Sequence, residues 1–178
     1  EIASCLVGSE MCIRDRGVRE VQVASRSAQS AQALVDQARA MGLQATTVED
    51  VEAAARHCPL IVTCTPARAV VLREAPRSDA FISAVGAFTP QMVELAPGLC
   101  QGLLQSGRVV VDTGDALHEA GDLLQAGIDV AALPTLEQVV REQWPRSDSP
   151  VLFKCCGWGG WDLAATRLAM RRAALQNS

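Results

Sequence analysis

The chain has 178 residues, 49% of them apolar but only 3% aromatic with no tyrosine, and a formal net charge of −4. That length suits one domain of ordinary size with a core of Ala, Val and Leu, and the mild acidity, with arginines scattered rather than striped, argues against nucleic acid as a partner. No apolar run approaches the roughly 18 residues of a membrane span, and seven cysteines without a C-x-x-C pair, beside two histidines at no ligand spacing, argue against a metal site and for reduced thiols in a cytoplasmic protein.

Residues 1–16 stand apart. The string from Cys5 to Arg16 has neither helical nor strand periodicity. It resembles a translated sequencing-adaptor string and is read as foreign to the fold; the alternative is a natural strand over 2–7 that ends at Gly8. No leader-like start is visible.

From residue 17 onward strand and helix alternate. Residues 18–25 read as a strand with Val21 and Val23 on one face. Residues 28–40 read as a helix, with Ala31, Leu34, Val35 and Ala38 at helical spacing and Gly42 as its stop. A short strand follows at 43–46. Thr47, with Asp50 three positions on, looks like the start of a helix carrying 51–56. The apolar run 60–63 is a buried strand, and Pro66 forbids its continuation as a central one. Further strands are expected at 80–85, 108–112 and 151–154. Helices are expected at 97–105, 116–125, 135–141 and 162–175, with a polar loop at 143–150. Such alternation implies parallel pairing through right-handed crossovers, hence one doubly wound α/β domain over 17–178.

Ligands of open α/β sheets lie beyond the carboxyl ends of strands, so the strand ends carry the chemistry. The first ends in Ser25-Arg26-Ser27, with Ser30 one turn on. A guanidinium and hydroxyls at a helix N-terminus make an anion site, whereas a carboxylate there would repel a 2′-phosphate. The residues alone leave this open against a solvated arginine beside a serine cap. Thr63-Cys64-Thr65-Pro66 follows the buried strand, as a small-residue nucleotide bed or a plain strand-ending turn. The stretch from Ala84 through Val85, Gly86, Ala87 and Phe88 to Glu94-Leu95 again ends a strand in glycine. The last strand runs through Lys154, Cys155, Cys156, Gly157 and Trp158 into an Ala-rich helix, its glycines allowing close approach of backbone to a ligand. Asp112, Asp115, His118, Glu119 and Asp122 form a polar cluster; helical spacing makes Asp115, Glu119 and Asp122 a solvated face rather than a general-acid centre.

Together these stretches resemble the ornithine cyclodeaminase/mu-crystallin family. Gly157-Trp158 with Trp161-Asp162, Gly86-Ala-Phe-Thr-Pro90 and the run from His118 to Gly127 are similar to its pyrroline-carboxylate reductase branch. The resemblance implies a Rossmann-like sheet that lacks here its first strand, with the glycine loop, and the family's N-terminal substrate and dimerisation domain. It implies NADPH, with NADH as the alternative, held by Ser25, Arg26, Ser27, Ser30, Cys64, Thr65, Pro66, Val85, Gly86, Ala87, Cys155 and Gly157. Phe88 and Trp158 would face a cyclic imino acid reduced to proline or pipecolate. The parent enzyme would be a homodimer whose catalytic groups lie in the absent domain, with no metal, so that this stretch alone is expected to be inactive. Lys154 is expected to be structural. Two residues depart from the family pattern. Phe88 replaces the aspartate of ornithine-deaminating members, which favours imine reduction over deamination. Cys155 replaces Ser or Thr and is a weaker hydrogen-bond partner. The rival readings are a deaminase or alanine dehydrogenase relative, and a non-catalytic NADPH- or small-ligand-binding protein.

Overall fold

The computed structural model describes residues 17–66 and 68–176, and both readings of residues 1–16 fall outside them. Among the described residues the strands are β1 Glu20–Val23, β2 Gln44–Thr47, β3 Leu60–Thr63, β4 Arg68–Leu72, β5 Phe81–Ala84, β6 Val93–Leu95, β7 Arg108–Val111 and β8 Val151–Lys154. The helices are α1 Ala28–Ala40, α2 Val51–Ala55, α3 Pro97–Ser106, α4 Ala116–Glu119, α5 Gly121–Gln125, α6 Leu136–Arg141 and α7 Gly159–Gln176, with a 3-10 turn at Val130–Ala132. Every ladder is parallel. The strands form a pair β1-β2, a central sheet β3-β5-β8-β7 and a pair β4-β6. The architecture is Rossmann-like α/β, as the alternation of elements predicts. No described helix is long and apolar enough to cross a membrane.

Two apolar clusters hold the parts. In the smaller, Val23 and Ala45 of the β1-β2 pair pack against Ala31, Val35 and Ala38 of α1. Helix α1 has the boundaries its signals predict. The Ser27 hydroxyl accepts from Ser30 N at 3.2 Å, and Gly42 sits at φ +84°, a conformation costly for any residue with a Cβ. In the larger cluster, Ile82, Leu152, Val109 and Val111 of the central sheet meet Leu99, Cys100 and Leu103 of α3 and Leu123 of α5. The register puts Leu60, Phe81, Val151 and Arg108 in one row across the opposite face. There Leu60, Val62 and Phe81 are 44%, 42% and 41% exposed. One face of the sheet is thus packed and the other is open around β3 and β5.

The structure departs from the sequence reading in four places. Thr47 ends β2 rather than starting a helix; Asp50 caps α2 instead, accepting from Ala53 N at 2.9 Å. The single helix expected over 116–125 is broken at Ala120 (φ −75°, ψ 71°). There the chain turns Gly121 onto the carbonyl oxygens of Thr89 and Met92, against which a Cβ would collide. Strands β4 and β6 have no counterpart in the sequence reading, being short and paired only with each other. Helix α7 begins at Gly159 rather than at residue 162.

Candidate functional site

The expected ligand-facing residues lie at the carboxyl ends of four parallel strands. Ser25, Arg26 and Ser27 follow β1 and are exposed. Ser27 is committed to capping α1, whose first turn holds no acidic residue, so the positive end of the helix dipole there is uncancelled. Cys64, Thr65 and Pro66 follow β3, and Val85, Gly86, Ala87 and Phe88 follow β5. Cys155, Gly157 and Trp158 follow β8, where Gly157 takes φ +94°. Phe88 and Trp158 are about half exposed, at 51% and 50%. Trp158 is therefore not packed as a core side chain; its ring lies over Gly160, where a Cβ would strike it.

Three buried carboxylates organise these turns. Glu94 of β6 is fully buried. Its Oε1 accepts from Thr65 N at 2.6 Å and Thr65 Oγ1 at 2.9 Å. Its Oε2 accepts from Thr63 Oγ1 at 3.0 Å, Gly86 N at 2.8 Å and Ala87 N at 3.3 Å. Asp112, at the end of β7, accepts from Cys156 N at 2.7 Å and Gly157 N at 2.8 Å through Oδ2, and from Thr113 N at 2.8 Å through Oδ1. Asp122 Oδ1 accepts from Glu94 N at 2.6 Å and Leu95 N at 2.8 Å. Charge-assisted bonds of this kind are about twice as strong as neutral ones and fix loops where ladder bonds have stopped.

A single buried ammonium ties the network across the sheet. Lys154 of β8 has no exposed surface. Its Nζ donates to Ala87 O at 2.5 Å and lies 2.9 Å from Asp122 Oδ2, a contact outside hydrogen-bond geometry. Lys154 is thus structural, as the resemblance implies: its amine has a carbonyl and a carboxylate to satisfy and no access to a carbonyl substrate. The solvated face expected of Asp115, Glu119 and Asp122 is corrected by the same contacts. Asp115 is exposed, but the break at Ala120 takes Asp122 off that face and into the interior.

The thiols are quiet. Burial, with the Asp112 carboxylate nearby, pushes Cys155 up to about 11, and burial pushes Cys156 up to about 12 despite Lys154. Both are neutral near pH 7 and unsuited to nucleophilic attack. No group of His, Cys, Asp and Glu among the described residues is placed to hold a metal.

Sequence reasoning found the turns but missed what holds them. The signal was present: Glu94 sits inside the run Met92–Leu95, otherwise apolar, and Asp122 precedes Leu123-Leu124. A charge inside an apolar run is solvated only if the run is at the surface, and here it is not.

These turns present small residues at the strand ends: Thr65, Pro66, Gly86, Ala87, Cys155 and Gly157. Gly86 lies against the Thr65 backbone and the Glu94 carboxylate so closely that a Cβ would overlap both, so the turns after β3 and β5 are packed together directly. Thr113 Oγ1, at the β7 tip, is buried with no hydrogen-bond partner among the described residues.

Comparison with known proteins points the same way. The model of the ornithine cyclodeaminase/mu-crystallin family matches residues 3–176. The chain is 41% identical over 110 residues to Δ1-pyrroline-2-carboxylate reductase 2 of Burkholderia ambifaria, covering 62% of this chain and 34% of that one. It is 40% identical over 119 residues to a Δ1-pyrroline-2-carboxylate/Δ1-piperideine-2-carboxylate reductase of Azospirillum brasilense, covering 64% and 37%. The match thus spans little more than a third of those relatives. Among solved structures, Thermococcus litoralis Δ1-pyrroline-2-carboxylate reductase, in complex with NADH and L-proline, superposes with a TM-score of 0.79 at 21% identity, over 89% of this chain and 51% of that one. An archaeal alanine dehydrogenase dimer with bound NAD gives 0.75 at 23%, over 90% and 51%. At these identities the structural likeness speaks to the fold.

Proposed function

Since the chain belongs to the ornithine cyclodeaminase/mu-crystallin family, we propose that it is the cofactor-binding part of a reductase acting on a cyclic imino acid of the Δ1-pyrroline-2-carboxylate or Δ1-piperideine-2-carboxylate type, with L-proline or L-pipecolate as product. The observation that carries this is the set of strand-end turns, Thr65-Pro66, Gly86-Ala87 and Cys155-Gly157, held by buried carboxylates and free of bulky side chains on the backbone they present. A nicotinamide held there supplies hydride to the C=N carbon. The chain's own residues bind and orient. Arg26, with Ser25, Ser27 and Ser30 at the start of α1, takes a 2′-phosphate, and so favours NADPH over NADH. Thr65 and Pro66 bed the adenosine side. Gly86, Ala87, Cys155 and Gly157 border the nicotinamide, while Phe88 and Trp158 wall the substrate side.

Phe88 favours imine reduction over deamination, because it offers no carboxylate for proton transfer. The groups that clamp the substrate carboxylate belong, in this reading, to a further domain that also makes the homodimer. The chain by itself then binds cofactor with little or no turnover. Fluorescence titration of the purified chain with NADPH and NADH tests this: tighter binding of NADPH is expected, and Arg26→Asp is expected to reverse the preference. No binding of either dinucleotide, or an unchanged ratio in the variant, would contradict it. Rapid reduction of Δ1-pyrroline-2-carboxylate by the chain alone would overturn its assignment as an incomplete enzyme.

A further inference from the structure

The last backbone hydrogen bond between the ends of β3 and β5 runs from Val85 N to Thr63 O at 2.8 Å. Beyond it the ladder stops, yet the two turns stay close enough for the Gly86 Cα to face the Thr65 backbone with no room for a Cβ. The Glu94 carboxylate occupies the place of the next ladder bond. One oxygen accepts from Thr65 N and the other from Gly86 N, so a single group replaces backbone acceptors for both turns. Glu94 is itself fixed: its own amide and that of Leu95 donate to Asp122, which lies beside the ammonium of Lys154. Lys154 in turn holds the carbonyl of Ala87, next to Gly86.

We propose that Glu94 is a positioning residue for the cofactor, the group that couples the Thr65 turn to the Gly86-Ala87 turn so that both present their backbone to one ligand at once. This rests on the assignment of these turns to the cofactor. Glu94 touches neither cofactor nor substrate in this arrangement; it acts through the amides it accepts from. Its role differs from that of Asp112, which braces Cys156 and Gly157 separately. The specific consequence is correlation. Loosening Glu94 should free Thr65 and Gly86 together and leave Cys156 and Gly157 held.

Glu94→Gln is the direct test. The amide keeps the shape but puts an NH₂ where one oxygen stood, facing either Thr65 N–H or the Gly86 and Ala87 N–H groups, and those donors lose their acceptor. Native-state hydrogen exchange of the whole chain should show Thr65 and Gly86 amides exchanging faster in the variant, with Cys156 and Gly157 unchanged. NADPH affinity by fluorescence titration should fall about tenfold, the size expected for one unsatisfied buried donor. Leu123→Ala, a core truncation, serves as the control and should speed exchange throughout without the selective pattern. Should Glu94→Gln not fold, Thr63→Val removes only the Thr63 Oγ1 donor to the same carboxylate. It should weaken NADPH by about threefold with the same pattern in smaller measure. Faster exchange at Thr65 and Gly86 with unchanged NADPH affinity would overturn the positioning role and leave the cofactor assignment standing. Unchanged exchange in both variants would overturn it as well. Failure of the unmutated chain to bind either dinucleotide would overturn the assignment of the site, and this proposal with it.

Discussion

Asp122 shows how far a residue's meaning depends on its neighbours. Its spacing from Asp115 and Glu119 suits a wet helix face, yet it is fully buried, accepting from two backbone amides and lying against Lys154. Burying a charge is costly unless it is paired and hydrogen-bonded, and the partner here is 32 positions away in sequence on β8. No local pattern announces it. Lys154→Met strands the Asp122 carboxylate in the interior, and urea unfolding should show a loss of about 3–5 kcal/mol. Adding Asp122→Asn keeps an acceptor for the amides of Glu94 and Leu95 but removes the charge, so the double variant should recover part of that loss. If the double variant is the less stable, the charge is not what costs. Gly157 was legible for the opposite reason: its φ of +94° is a backbone geometry that a short sequence stretch already contains. Gly86 is required instead by the Thr65 backbone and the Glu94 carboxylate, which a Cβ would strike.

At the scale of elements, legibility follows how much of the determinant is local. Helix α1 carries its cap, its stripe and its stop within its own sequence, and it was read to the residue. Helix α6 is of the same kind. The Thr135 hydroxyl accepts from Gln138 N at 3.3 Å while Thr135 N donates to Gln138 Oε1 at 2.8 Å, a reciprocal capping box. Thr135→Ala should cost about 1 kcal/mol by chemical unfolding. A neutral result would mean that the bridge from Val111 to Thr135, rather than the cap, fixes this helix. Strands β4 and β6 were not legible. Each is short, and each is a strand because of the other; β6 carries its acidic residue inward, against the alternation expected of a half-buried strand. The 116–125 region failed likewise, since Ala120 breaks the helix to serve contacts with Thr89 and Met92 that no helical period encodes.

At the scale of the molecule, the strands fall into an order that the alternation alone only outlines. The parallel strands divide into the pair β1-β2, the central sheet β3-β5-β8-β7 and the pair β4-β6, with β3 and β7 at the two edges of the central sheet. On the edge strand β3 the apolar Leu60 and Val62 are exposed. Exposed apolar strands of this kind invite association. Replacing Leu60 and Val62 together by lysine should lower light scattering of concentrated chain while leaving unfolding free energy within about 0.5 kcal/mol per site. A large loss of stability would show that this face is packed in solution. The most consequential feature of the sheet is the position of β8. It lies between β5 and β7, and β7 has no other neighbour in the sheet. A chain emerging from the ribosome therefore completes its central sheet only when residues 151–154 are released. Until then Asp112 lacks the amides of Cys156 and Gly157 from which it accepts, and the Ala87 carbonyl lacks the Lys154 ammonium, so the turns after β5 and β7 stay unbraced while the elements before them are already made.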